Sequence, residues 1–129
     1  MDLRILSQSD LSAIMQIETA LFGSEAWSEE TMSSELITPH SYYIGVFDPS
    51  LVGYAGLRLA PADFAADVLT IGVAASKQGK GIGRRLMDAL LLHAKRQGAE
   101  QVFLEVKESN ASAISLYKSL GFEQIDLRK

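Results

Sequence analysis

Cysteine is absent from the 129 residues. That removes disulfides, thiolate metal ligands and any thiol nucleophile together. Histidine is scarce, and His40 and His93 stand too far apart to form a metal-ligand spacing. No run of eighteen apolar residues occurs, and the start Met1-Asp2-Leu3-Arg4 is too polar for a signal peptide. The expectation is a soluble cytoplasmic chain. Positive charge is also in short supply. A net charge of −4 and a pI near 5.1 argue against general nucleic-acid binding, which goes with a basic domain. What remains is ordinary: 47% hydrophobic and 22% charged residues, at a length that suits a single domain over residues 1–129 with its own core.

The charge is unevenly spread. Residues 1–67 hold ten acids against two bases, a net of −8, whereas residues 68–129 hold six against ten, a net of +4. Two surfaces with different partners would produce this, as would one solvated acidic face. Residues 2–6 read as a short strand. Ser9 and Asp10 stand as N-caps before Leu11, Ile14, Ile17 and Leu21, a helical spacing ended by Gly23. Ser28 caps a second helix bearing Met32 and Leu36 and closed by Pro39. Strand patterns at 42–47 and 51–59 flank an Asp48-Pro49-Ser50 turn, and a further strand covers 68–73 after a connection over 60–66. From near Gly83 the period becomes helical, with Leu86, Met87, Leu90, Leu91 and Ala94 on one face and Gly98 as C-terminal cap. A strand at 101–106, a helix capped by Asn110 with Ala113, Leu116, Tyr117 and Leu120 inward and Gly121 past its end, and a strand at 122–127 complete the chain. The order β-α-α-β-β-β-α-β-α-β predicts an α/β fold, a mixed sheet flanked by helices.

The most informative stretch is Gln78-Gly79-Lys80-Gly81-Ile82-Gly83-Arg84-Arg85, between a strand and a helix. Glycines at alternate positions let successive backbone N–H groups converge, and the helix start adds its dipole and unpaired donors. Lys77, Lys80, Arg84 and Arg85 surround it, with no acid in the sequence between Asp67 and Asp88. This is a site for a phosphate-like anion. A dinucleotide fingerprint would need glycine where Arg84 stands, and a nucleoside-triphosphate loop would need glycine at Ala74 and Ser or Thr at Gly81. Neither spacing holds, and a plain glycine-rich turn stays open as the alternative.

Gln78-x-x-Gly81-x-Gly83 resembles the pyrophosphate loop of the GCN5-related N-acetyltransferases, the GNAT family. Leu104-Glu105-Val106-Lys107 and the run from Asn110 through Tyr117 to Phe122 are similar to its RimI-like branch, as is Trp27-Ser28-Glu29, with Ala26 in place of proline. The resemblance spans about residues 3–128 and is more specific in the second half. It implies a GNAT-like fold and acetyl-CoA as co-substrate, with no metal. Residues Gln78, Gly79, Lys80, Gly81, Ile82, Gly83 and Arg84 would hold the pyrophosphate, and Asn110, a good helix cap in its own right, would touch the coenzyme. The backbone of Ile71, Gly72 and Val73 would bind the pantetheine arm and polarise the thioester carbonyl. By its residues alone, Gly72 marks either a bulge or a close backbone approach.

Without cysteine, direct attack by an amine in a ternary complex is the expected route. Glu105 is an ionisable group in the apolar run Val102-Phe103-Leu104-Glu105-Val106, which calls for a partner or a purpose unless it faces solvent from an edge. The resemblance makes it the base. Tyr117 has the spacing of a core aromatic, and the resemblance makes it the acid that protonates the leaving thiolate. The branch acetylates the N-terminal alanine of a small-subunit ribosomal protein, and an α-amine (pKa about 7.7–8.0) is easier to deprotonate than a lysine (about 10.4). A basic protein N-terminus would suit the acidic first half, with Glu25, Glu29 and Glu30 beside Trp27 as contacts. A polyamine or aminoglycoside acceptor, or a non-catalytic acyl-CoA-binding module, are the alternatives, and neither nucleic acid nor membrane is an expected partner. A monomer or weak dimer is expected. The branch usually continues past Leu127-Arg128-Lys129 with another strand that walls the acceptor cleft, so the fold is expected to lack that strand.

Overall fold

A computed structural model describes residues 1–104 and 117–121. Alternation of side chains decides its architecture. Strand β1 (Asp2–Ile5) is followed by helices α1 (Leu11–Phe22) and α2 (Glu29–Ile37), then by strands β2 (Ser41–Phe47), β3 (Leu51–Ala60) and β4 (Ala65–Val73). Helix α3 (Ile82–Arg96) leads to β5 (Gln101–Leu104), and residues 117–119 are helical. The strands form one sheet in the order β1-β2-β3-β4-β5. The first three pairings are antiparallel and β4–β5 is parallel, joined through α3. This is the expected mixed sheet with flanking helices; the expected strand at 122–127 lies outside the described residues.

Neighbouring residues of one strand go to opposite cores. Ile44, Val46, Ala55 and Leu57 pack with Ile82, Leu86, Met87, Leu90 and Ala94 of α3, together with Tyr117. Tyr43 and Tyr54 turn the other way, onto Ile14, Ile17 and Met32 of α1 and α2. Gly23, Gly98 and Gly121 adopt left-handed φ values after their helices, as their positions predict. Ser28 caps α2, its hydroxyl accepting from the Thr31 N–H at 3.1 Å. Neither Ser9 nor Asp10 caps α1 by side chain, because Asp10 reaches back to accept from the Ser7 N–H at 2.9 Å. Strand β4 starts three residues earlier than the sequence suggests. Ala65 and Ala66 lack strand propensity, but pairing with β3 on one side and β5 on the other overrides it.

Candidate active site

Helix α3 starts at Ile82, one residue before the expected Gly83, because the buried Ile82 side chain anchors its first turn in the core. Gly79 and Gly81 hold φ values of 79° and 82°, and nothing lies within 4 Å of where a Cβ on either would stand. The loop is thus a bare, open stretch of backbone. The first helical bond runs from the Arg85 N–H to the Gly81 carbonyl at 3.0 Å, so the N–H groups of Ile82, Gly83 and Arg84 have no place in the helix's own ladder. Gln78 braces the loop: its Nε2 donates to the Val73 carbonyl at 3.0 Å, at the end of β4.

The surrounding cations are less free than the sequence implies. The fold brings Asp48, twenty-nine positions away in the chain, to within 3.7 Å of the Lys77 ammonium. Arg85 donates to the Met1 carbonyl at 3.2 Å. Arg84 donates to the Ser119 hydroxyl at 3.2 Å, which ties the start of α3 to the segment carrying Tyr117. Lys80 is exposed on the loop. Tyr117 is 7% exposed within the α3 core, and burial raises its phenol pKa above the ordinary value. Loop and tyrosine are therefore parts of one neighbourhood.

At the end of β4, Ile71 and Val73 pack toward α3 and Gly72 lies on the opposite face. The bulge is not at Gly72. Gly56 faces Thr70 and Leu57 faces Val68, so Leu69 is the extra residue. Nor is it a close backbone approach: a Cβ on Gly72 would stand 2.8 Å from the ring and hydroxyl of Tyr54, so a side chain claims the space. A groove of about 180 Å³ lined by Gln16, Ile17, Ala20, Leu21, Ala74 and Ala75 runs between α1 and the turn after β4. The described pairing of β4 with β5 ends at Val68 and Leu104, and Glu105 and Asn110 lie outside the described residues. Among the described residues, no group of three His, Asp or Glu side chains could hold a metal ion, and no helix is long and apolar enough to cross a membrane.

Two polar clusters were not read from the sequence. Glu18 is buried at 2% exposure, accepting from the Trp27 N–H at 2.9 Å and from the Tyr54 hydroxyl. Glu35 accepts from the Tyr43 hydroxyl at 3.2 Å and pairs with Arg58. Glu18 had a visible signal, since it shares the helical face of Ile14, Ile17 and Leu21.

Residues 11–122 match the model of the acetyltransferase (GNAT) family. The chain belongs to the GNAT family. Its fold is the GNAT fold, it is an acetyltransferase, and the family's co-substrate is acetyl-CoA. The chain is 40% identical to the N-alpha-acetyltransferase RimI of Mycobacterium tuberculosis, over 96% of this chain and 79% of that one. It is 32% identical to the ribosomal protein bS18-alanine N-acetyltransferase of Salmonella typhimurium, over 97% and 82% respectively. The crystal structure of the corresponding Escherichia coli enzyme superposes with a TM-score of 0.87 at 28% identity, covering 97% of this GNAT chain and 79% of that one.

Proposed function

We propose that this GNAT enzyme moves the acetyl group of acetyl-CoA to the N-terminal α-amine of a protein, the N-terminal alanine of a small-subunit ribosomal protein. The observation that carries this reading is the open Gly79–Gly81 backbone at the start of α3, fastened to the Tyr117 segment through Arg84 and Ser119. The names of the relatives supply the acceptor class. The residues fit the coenzyme: unclaimed N–H donors of Ile82, Gly83 and Arg84 meet the pyrophosphate, with the helix dipole and Lys80 adding positive potential. Gln78 holds the loop in shape. The backbone of Ile71, Gly72 and Val73 takes the pantetheine arm, and Asn110 also contacts the coenzyme.

Acetyl-CoA supplies an activated acetyl thioester. Glu105 takes the proton from the attacking amine, directly or through water. Tyr117 donates its phenolic proton to the departing sulfur, and its raised pKa keeps that proton in place at neutral pH. On the acceptor side, Glu29 and Glu30 are exposed beside Trp27 and attract a basic peptide. Such attraction acts mainly on encounter and is screened within about 8–10 Å at physiological salt.

The test offers acetyl-CoA with a basic peptide starting in alanine, the same peptide N-terminally blocked, spermidine and an aminoglycoside. Acetylation of the free peptide alone is expected, weakening as salt rises. Acetylation of a lysine in the blocked peptide, or preference for the polyamine or aminoglycoside, overturns the acceptor assignment. Binding of acetyl-CoA with no turnover on any acceptor would favour a non-catalytic module.

A further inference from the structure

A buried carboxylate outside the chemistry above joins the two sides of the site. Glu18 of α1 is 2% exposed, and no lysine or arginine among the described residues pairs with it. Two donors meet it instead. Its Oε2 accepts from the Trp27 backbone N–H at 2.9 Å, and its Oε1 accepts from the Tyr54 hydroxyl. A carboxylate buried without a cation is costly, and hydrogen bonds offset only part of that cost. An apolar residue on this face of α1 would serve packing alone at least as well.

The two donors lead to different places. Tyr54 is fully buried; it pairs with Gly72 of β4, and its ring covers that glycine. Residues 70–72 directly follow the Leu69 bulge and run into the stretch assigned to the thioester arm. Trp27 directly precedes Ser28, the cap of α2, and stands beside Glu29 and Glu30, where the acceptor peptide is placed. One carboxylate spans both.

We propose that Glu18 is a positioning residue that holds the acceptor-side segment at Trp27 in fixed relation to the donor-side strand at residues 70–72, acting through Tyr54. This rests on the N-acetyltransferase reading above. Attack on the thioester requires the amine and the carbonyl within about 3–3.5 Å and in line, and a displacement of about 1 Å can cost 10²-fold in rate. Glu18 limits that displacement without touching either reactant.

Glu18→Gln and Tyr54→Phe test it. The glutamine keeps the shape but has only one acceptor oxygen for two donors. Steady-state kinetics with the alanine-initiated peptide, calorimetric acetyl-CoA affinity and acrylamide quenching of Trp27, the only tryptophan, are measured on the full chain. For Glu18→Gln, kcat/KM for the peptide is expected to fall about tenfold or more, with acetyl-CoA Kd within about twofold and Trp27 quenching about doubled; Tyr54→Phe is expected to do less, and the double variant no more than Glu18→Gln alone. Lowered thermal stability with unchanged peptide kcat/KM and unchanged quenching would make Glu18 a fold residue only and overturn the proposal. If Glu18→Gln does not fold, Tyr54→Phe carries the same readouts. If the wild type acetylates no peptide, the functional reading fails by itself, and unchanged quenching in the variants still decides against the tether.

Discussion

The two faces of the sheet are built on different principles. Toward α3, the buried side chains are apolar apart from the Tyr117 hydroxyl, and the helix contributes Ile82, Leu86, Met87, Leu90 and Ala94 at helical spacing. Toward α1 and α2, the apolar contacts are threaded by hydrogen-bonded charge: Glu18 with Tyr54 and Trp27, and Glu35 with Tyr43 and Arg58. The α3 face presents a backbone cradle, whose geometry needs firm packing beneath it. The other face carries the segment around Trp27, whose position is set by directional bonds. Packing tolerates exchange among side chains of similar volume, whereas directional bonds tolerate almost none. On the function proposed above, the difference would separate how each half of the reaction is held.

The largest effect expected is on the packed face. Leu86→Ala removes a fully buried side chain under the start of α3 and should cost about 2–5 kcal/mol, read by urea unfolding. Acetyl-CoA affinity should fall with it, because the cradle stands on that turn; full stability would mean that the α3 face is not the packing device described here.

Next is Tyr117→Phe, which keeps the packing and deletes the proton. A fall in kcat of about 10²-fold is expected, with acetyl-CoA affinity nearly unchanged. Burial raises the Tyr117 pKa above its ordinary value of about 10, so the phenol stays a donor throughout the neutral and mildly alkaline range. Loss of wild-type kcat with a midpoint near pH 8 to 9 that vanishes in Tyr117→Phe would contradict this.

The smallest effect falls on the bonded face. Tyr43→Phe removes the hydroxyl that donates to Glu35 and should cost about 1 kcal/mol at pH 7. The Tyr43 phenol is raised by burial first and by Glu35 next. A raised folded pKa means that the associated stability is complete below about pH 10 and is lost as pH rises through the folded value. The variant should therefore lose less stability than wild type between pH 9 and 11, measured by denaturant midpoints. An equal loss in both would separate Tyr43 from the alkaline transition.

Legibility in the sequence follows the same division. Features set by a few consecutive residues were readable: left-handed glycines after helices, the Ser28 cap, the Gly79–Gly81 loop and the apolar face of α3. Features that join distant residues were not. Glu35 and Arg58 are twenty-three positions apart, and Asp48 meets Lys77 across twenty-nine, so neither pair exists until the sheet has formed. The first half's net of −8 accordingly overstates its acidic surface, since Glu18 is buried and Glu35, Asp10 and Asp48 each face a cation or a donor. The Leu69 bulge escaped because a bulge is a mismatch between two strands, and Gly72 drew attention for a tyrosine ring instead.

The sheet order carries a consequence for how the molecule assembles. Strands β2, β3 and β4 follow one another both along the chain and across the sheet, so each pairing closes only a short loop. The β4–β5 pairing must wait for a crossover that includes all of α3. Closure entropy grows with the intervening length, and parallel pairing through a crossover is the slower event. The three-strand meander is thus the early-forming unit, and the docking of β5 beside residues 65–68 follows it. In hydrogen exchange, amides bonded between β2 and β3 should gain protection ahead of those between β4 and β5, so this enzyme acquires the middle of its sheet before it acquires the neighbourhood in which Tyr117 sits.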